Sequence, residues 1–220
     1  MTTDAIRDTI QLAILHEQQS GNLASLMNRY ATSNVHMTVK LPVSDTTTCL
    51  VDFVTAYIEH VPFCIDTVRS KATHAGVDSF TEPFLNLAVD FFLKPKNAIQ
   101  DRAGLNDLMD EAYLAHRLIE EMNDLLLVKA SISLIPVDMS ISNLIVHSLI
   151  GEPFANELDE AVHYTTEKAG SRECVGNKRK LHAYLAWQGN ETGIDAGTGT
   201  RHSGKPCLTE QFPIRLHFPH

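Results

Sequence analysis

Apolar residues recur at helical spacing along most of the first 168 positions of this 220-residue chain. Ile6, Ile10, Ala13, Ile14 and Ala24 share one face of a helix predicted from about Asp4 to Tyr30, with Thr3 as N-cap. In NVHMTVKLP the period changes. Val35, Met37, Val39 and Leu41 alternate with polar residues, which predicts a short strand ended by Pro42. TTTCLVDFVTAYIEHV returns to helix, capped by the Thr46 to Thr48 cluster, and Pro62 predicts a kink or restart before FCIDTVRSKATH. SFTEPFLNLAVDFFL places Glu82 and Pro83 where a first helical turn accepts them.

The longest element runs from about Leu105 to Lys129, with a stripe of Leu105, Leu108, Ala112, Ala115, Ile119, Met122 and Leu126. VDMSISNLIVHSLIG offers Asp138 as N-cap and Gly151 as stop, and EPFANELDEAVHYTTEK opens on Pro153 and runs to about Lys168. Together these elements predict a mainly α fold: a compact bundle of about six helices with one short hairpin or isolated strand.

Helical periodicity stops near Ala169, which divides the chain into a helical domain (1–168) and an irregular C-terminal extension (169–220). Charge changes at the same place. The first part holds 11 Lys and Arg against 23 Asp and Glu, the second 7 against 4, so an acidic body is joined to a basic tail. The tail also carries 7 of the 11 glycines and the single Trp187. LHAYLAW predicts a short helix or strand and PIRLHF alternates like a strand. The glycine-rich stretch between them has loop composition, so the tail reads as a flexible extension.

With 44% hydrophobic and 20% charged residues, the composition is that of a soluble globular protein. A net charge of −9 argues against nonspecific nucleic-acid binding, which needs excess Lys and Arg to neutralise phosphates. No apolar run approaches the ~18–20 residues of a membrane span, so no membrane association is expected. MTTDAIRDTI carries no secretion signal, and Cys49, Cys64, Cys174 and Cys207 form no CxxC pair, so reduced thiols in the cytoplasm are expected. Gly199 to Lys205 fits GxxxxGK, but Pro206 stands where a phosphate-binding loop needs a Ser or Thr for Mg²⁺. The glycosylation pattern Asn190-Glu191-Thr192 has no meaning without secretion.

The informative residues are carboxylates inside apolar stripes. Glu17 projects within about 20° of Ile10, among the small or polar Ala13, Ser20, Gly21 and Ala24. Glu111 projects within about 20° of Leu118 and Met122 on the longest helix. His116 and Asn123 lie on the other edge of that stripe, and Glu120 follows His116 by one turn, where an i,i+4 pair forms. A buried carboxylate must be ion-paired, hydrogen-bonded, neutralised or metal-bound. Glu160 and His163, a Glu-x-x-His pair, project away from the stripe of their helix and read as solvated. His60 reads as a satisfied core histidine, His147 as facing solvent or an interface, and His16 as off its stripe.

Carboxylates and imidazoles pointing inward from separate helices resemble the di-metal sites of the ferritin-like and haem-oxygenase-like oxidase superfamilies. The resemblance implies an iron or manganese site with Glu17, Glu111, His116 and Glu120 as ligands, in a metal-dependent oxidase or hydroxylase. Without that resemblance, the residues indicate a cytoplasmic binding or regulatory module with a buried polar site. Such a module would take a small-molecule ligand or pair as a homodimer through its broad apolar helices. Glu17 and Glu111 would then hold helix register through Arg29, Arg69, Arg102 or a buried histidine.

Overall fold

A computed structural model describes residues 3–32, 39–40, 45–93, 104–170, 178–191 and 207–216. Among the described residues the chain forms eight helices: α1 (Asp4–Ser20), α2 (Asn22–Thr32), α3 (Thr46–Ala75), α4 (Asp78–Leu93), α5 (Leu105–Ala130), α6 (Ser140–Ile150), α7 (Glu152–Gly170) and α8 (Lys178–Glu191). A short 3₁₀ turn (Leu208–Gln211) follows. The fold is therefore mainly helical, with eight helices where about six were expected.

The count differs for physical reasons. The predicted first helix divides at Gly21, which adopts φ +62°, a left-handed conformation that glycine takes without steric penalty. The apolar stripe continues across this break, which is why periodicity alone reads one helix. Glu17 joins the two pieces. Its Oε2 accepts the Leu23 N–H at 2.9 Å and its Oε1 accepts the Ala24 N–H at 3.0 Å, satisfying two free donors of the first turn of α2. Pro62 has the opposite outcome. The helix passes through it as one 30-residue element, although the missing proline N–H leaves the Ile58 carbonyl without its helical donor. The remaining helix is α8, in the region expected to be irregular.

Two helices organise the core. α5 packs against α1, α3, α4, α6 and α7, and α3 against α1, α2, α4, α5 and α8. Phe53, Tyr57, Ile58, Val61, Ile65 and Val68 supply the buried side of α3. It is the one described helix whose length and mean hydropathy would suit a bilayer. Here those residues pack into the shared core instead.

Beyond α7, which ends at Gly170, the described segments join the same core. α8 lies on α3, with Tyr184 buried and its hydroxyl donating to the Ser133 carbonyl at 3.3 Å. Further on, Cys207 bridges Asp138, Leu208 and Ile214 are buried, and the Phe212 ring meets Phe53 edge-on with centroids 5.6 Å apart. Two-residue strands β1 (Val39–Lys40) and β2 (Arg215–Leu216) pair antiparallel, so the short strand finds its partner near the C-terminus. Residues 35–38 and 41 of the predicted strand, Arg102, and the glycine-rich 199–205 motif lie outside the described residues.

Replacing Glu17 with Ala leaves the first turn of α2 uncapped. Loss of about 1–2 kcal/mol in urea unfolding is expected, as for other helix caps. Deleting residues 207–220 exposes Phe53 and removes buried Leu208 and Ile214. A loss of about 3 kcal/mol or more is expected by the same measurement.

Candidate metal centre

Because α3 continues through Pro62, His60 and Cys64 stand four residues apart on one helix, on the side facing α5. α5 brings His116 to meet them. The ligand-capable atoms of His60, Cys64 and His116 all lie within 4.8 Å of one another. Cys64 and His116 are buried, at 1% and 2% exposure, and His60 is mostly so. The two imidazoles stack at 27° with centroids 5.3 Å apart, and the Tyr57 ring lies 4.6 Å from that of His116.

Hydrogen bonding leaves the two imidazoles of this group with unpartnered nitrogens. His116 Nε2 lies 3.1 Å from the Tyr57 carbonyl, and a carbonyl can only accept. Nε2 therefore carries the proton, and in the neutral ring Nδ1 presents a lone pair. That Nδ1 is buried without a hydrogen-bond partner, as are both ring nitrogens of His60. Imidazole nitrogens out of water and unbonded are unfavourable, and native proteins rarely leave several together.

Desolvation also sets their protonation. Burial pushes the His60 imidazole down to about 4. Burial, with the nearby His60 adding to it and the bond to the Tyr57 carbonyl partly opposing both, pushes His116 down to about 3. Both rings are neutral at physiological pH, the form that binds metals.

A cavity of about 290 Å³ opens beside this group. Its walls include Cys64, His116, Glu120, Asp138, Met139 and Ser140. Glu120 is already engaged. Its carboxylate accepts bonds from Arg117, from Asn143 Nδ2 at 2.9 Å and from Ser140 Oγ at 3.4 Å. Arg117 also pairs with Asp159 at 3.0 Å, and Asp159 accepts the Tyr113 hydroxyl at 3.0 Å. Asn143 Oδ1 in turn accepts the buried Tyr57 hydroxyl at 2.7 Å, which ties this network back to the helix carrying His60.

Of the four residues predicted as ligands, the structure places His116 and Glu120 at one cavity. Glu17 caps α2, and Glu111 is half-buried on α5, five residues before His116. Neither is among the described residues lining this cavity. Asn123 holds the segment after α5, its Oδ1 accepting the Leu134 N–H at 2.8 Å. His147 contacts Asn156 at 3.1 Å and Asp159 at 3.7 Å. Glu160 and His163 are exposed on α7. His60, expected to be satisfied, is the residue with both nitrogens unbonded. Cys64 and His60 escaped notice as a pair because Pro62 between them reads as a break. The i,i+4 His–Cys spacing was the available signal. Comparison with known proteins returned no matching family model, curated protein or solved structure.

The low affinity of these rings for protons makes the fold acid-sensitive. From about pH 6.5 down to about 4, an unfolded chain binds protons at His60 and His116 that the folded chain refuses. Stability is therefore complete above pH 6.5 and falls as pH drops through that window. Each histidine contributes at most about 1.4 kcal/mol per pH unit. Urea midpoints measured with chelator from pH 7 to 4.5 are expected to decline less steeply in a His60→Gln variant. Equal steepness in variant and wild type contradicts this account.

Proposed function

We propose that this protein is a metal-binding helical module that holds one transition-metal ion of the zinc(II) class between His60, Cys64 and His116. The observation that carries the reading is the convergence of the Cys64 thiol with two imidazoles in one place, three of whose four ring nitrogens have no hydrogen-bond partner. Zinc in proteins is held by imidazole nitrogen at about 2.0–2.1 Å and thiolate sulfur at about 2.3 Å. Ligand atoms within 4.8 Å of one another need only small side-chain rotations to close on such an ion. The bond from His116 Nε2–H to the Tyr57 carbonyl matches the outer contact that commonly orients a metal-binding histidine.

The donor set also favours some metals over others. Two imidazoles and a thiolate suit zinc, cobalt or copper, whereas manganese prefers carboxylate-rich sites. That makes the iron or manganese oxidase, with Glu17, Glu111, His116 and Glu120 as ligands, the weaker proposal. Its support is the meeting of His116 and Glu120 at one cavity. A reducing cytoplasm fits the reading, because it keeps Cys64 available as a thiol.

Titration of metal-free protein with cobalt(II) tests the proposal. Saturation at one equivalent is expected, with a thiolate-to-cobalt charge-transfer band and the visible bands of tetrahedral cobalt. Cys64→Ser should abolish the charge-transfer band and His116→Ala should weaken binding by at least about tenfold, while Glu17→Ala leaves stoichiometry unchanged. Iron(II) or manganese(II) binding that depends on Glu17 and Glu111 but not Cys64 would overturn it.

A further inference from the structure

We propose that a metal ion at His60, Cys64 and His116 keeps one coordination position open toward the adjoining cavity, and that this position takes a small, uncharged nitrogen-donor molecule. The inference rests on the metal-binding reading and deepens it. Three protein ligands leave a tetrahedral ion one position short, which distinguishes zinc sites that act on ligands from structural sites.

The surroundings of the site make a fourth protein ligand unfavourable. Glu120 is the cavity carboxylate one helical turn from His116. It already accepts bonds from Arg117, Asn143 and Ser140, and moving it to the ion would break that network. Such a break strands Arg117 with less compensation and frees the Asn143 amide. Asp138, across the cavity, accepts the Ser140 N–H at 3.0 Å at the start of α6. Cys64 and His116 both line the cavity, so an ion they held would sit at its wall.

The shape and charge of the cavity define the ligand. At about 290 Å³ it lies at the lower end of small-molecule sites. Glu120, Asp124 and Asp138 contribute carboxylates to its walls, and no Lys or Arg is among its described lining residues. Walls rich in acceptor oxygens offer an anion few donors and suit a neutral molecule whose N–H groups they accept. An uncharged amine or azole satisfies both demands, giving its lone pair to the ion.

The cobalt(II)-loaded full-length protein provides the test, with imidazole and azide as probes at a pH where imidazole is neutral. Imidazole is expected to shift the visible cobalt bands saturably while the thiolate band persists, with azide at least about tenfold weaker. Val137→Phe, which narrows the cavity away from the ligands, should weaken imidazole at least about fivefold and leave the thiolate band intact. A cobalt protein with a normal thiolate band but no response to imidazole overturns the open position while leaving metal binding standing. A response that appears only in Met139→Leu assigns the fourth position to the Met139 thioether and also overturns it. Equal affinity for azide overturns the ligand class, and absence of any thiolate band removes both the inference and the reading beneath it.

Discussion

The hydrogen bond from His116 to the Tyr57 carbonyl is the polar contact on which the centre of this bundle turns. α5 is surrounded by other helices, and nearly all of what it offers α3 is apolar. One imidazole in that interface must satisfy a nitrogen without water, and it does so on a main-chain oxygen of α3. Reaching that oxygen fixes the ring beside Cys64 and His60. Register between the two central helices and the chemistry of the site are therefore settled by the same bond.

A second polar system surrounds the first and keeps separate accounts of charge. Arg117, Glu120, Asp159, Tyr113 and Asn143 bind α5, α6 and α7 to one another. The Tyr57 hydroxyl reaches into it from α3. Tyr57 thus serves both systems, with its carbonyl on His116 and its hydroxyl on Asn143. The carboxylates are answered by Arg117 and by amide and hydroxyl donors, whereas His60 Nδ1, His60 Nε2 and His116 Nδ1 have no hydrogen-bond partner.

The helical character was legible because amphipathic helices announce themselves through spacing, as α4, α5 and α7 do. Breaks were harder. At Gly21 the stripe runs on across a left-handed turn, whereas at Pro62 a residue known for ending helices is accommodated inside one. Glu17 stood out correctly as a carboxylate in an apolar face, and the structure buries it to 8% exposure. Its partners are backbone N–H groups six and seven residues on, which side-chain periodicity cannot reveal. His116 was visible as an edge residue on α5. Its companions were not, since their pairing required a helix to persist through proline and a second helix to arrive opposite.

The docking of the last described segment on Phe53 has a meaning for how the chain is made. β2 and Phe212 close against residues near position 40 and position 53, spanning most of the sequence. Contacts between such distant positions form late, because a long loop must close first. During synthesis the bundle can gather helix by helix, yet Phe53 waits for its Phe212 partner until residue 212 has left the ribosome. Completion of this part of the core is thus timed by the emergence of residue 212, and a nascent chain stopped short of it lacks the edge-on partner of Phe53 in its central helix.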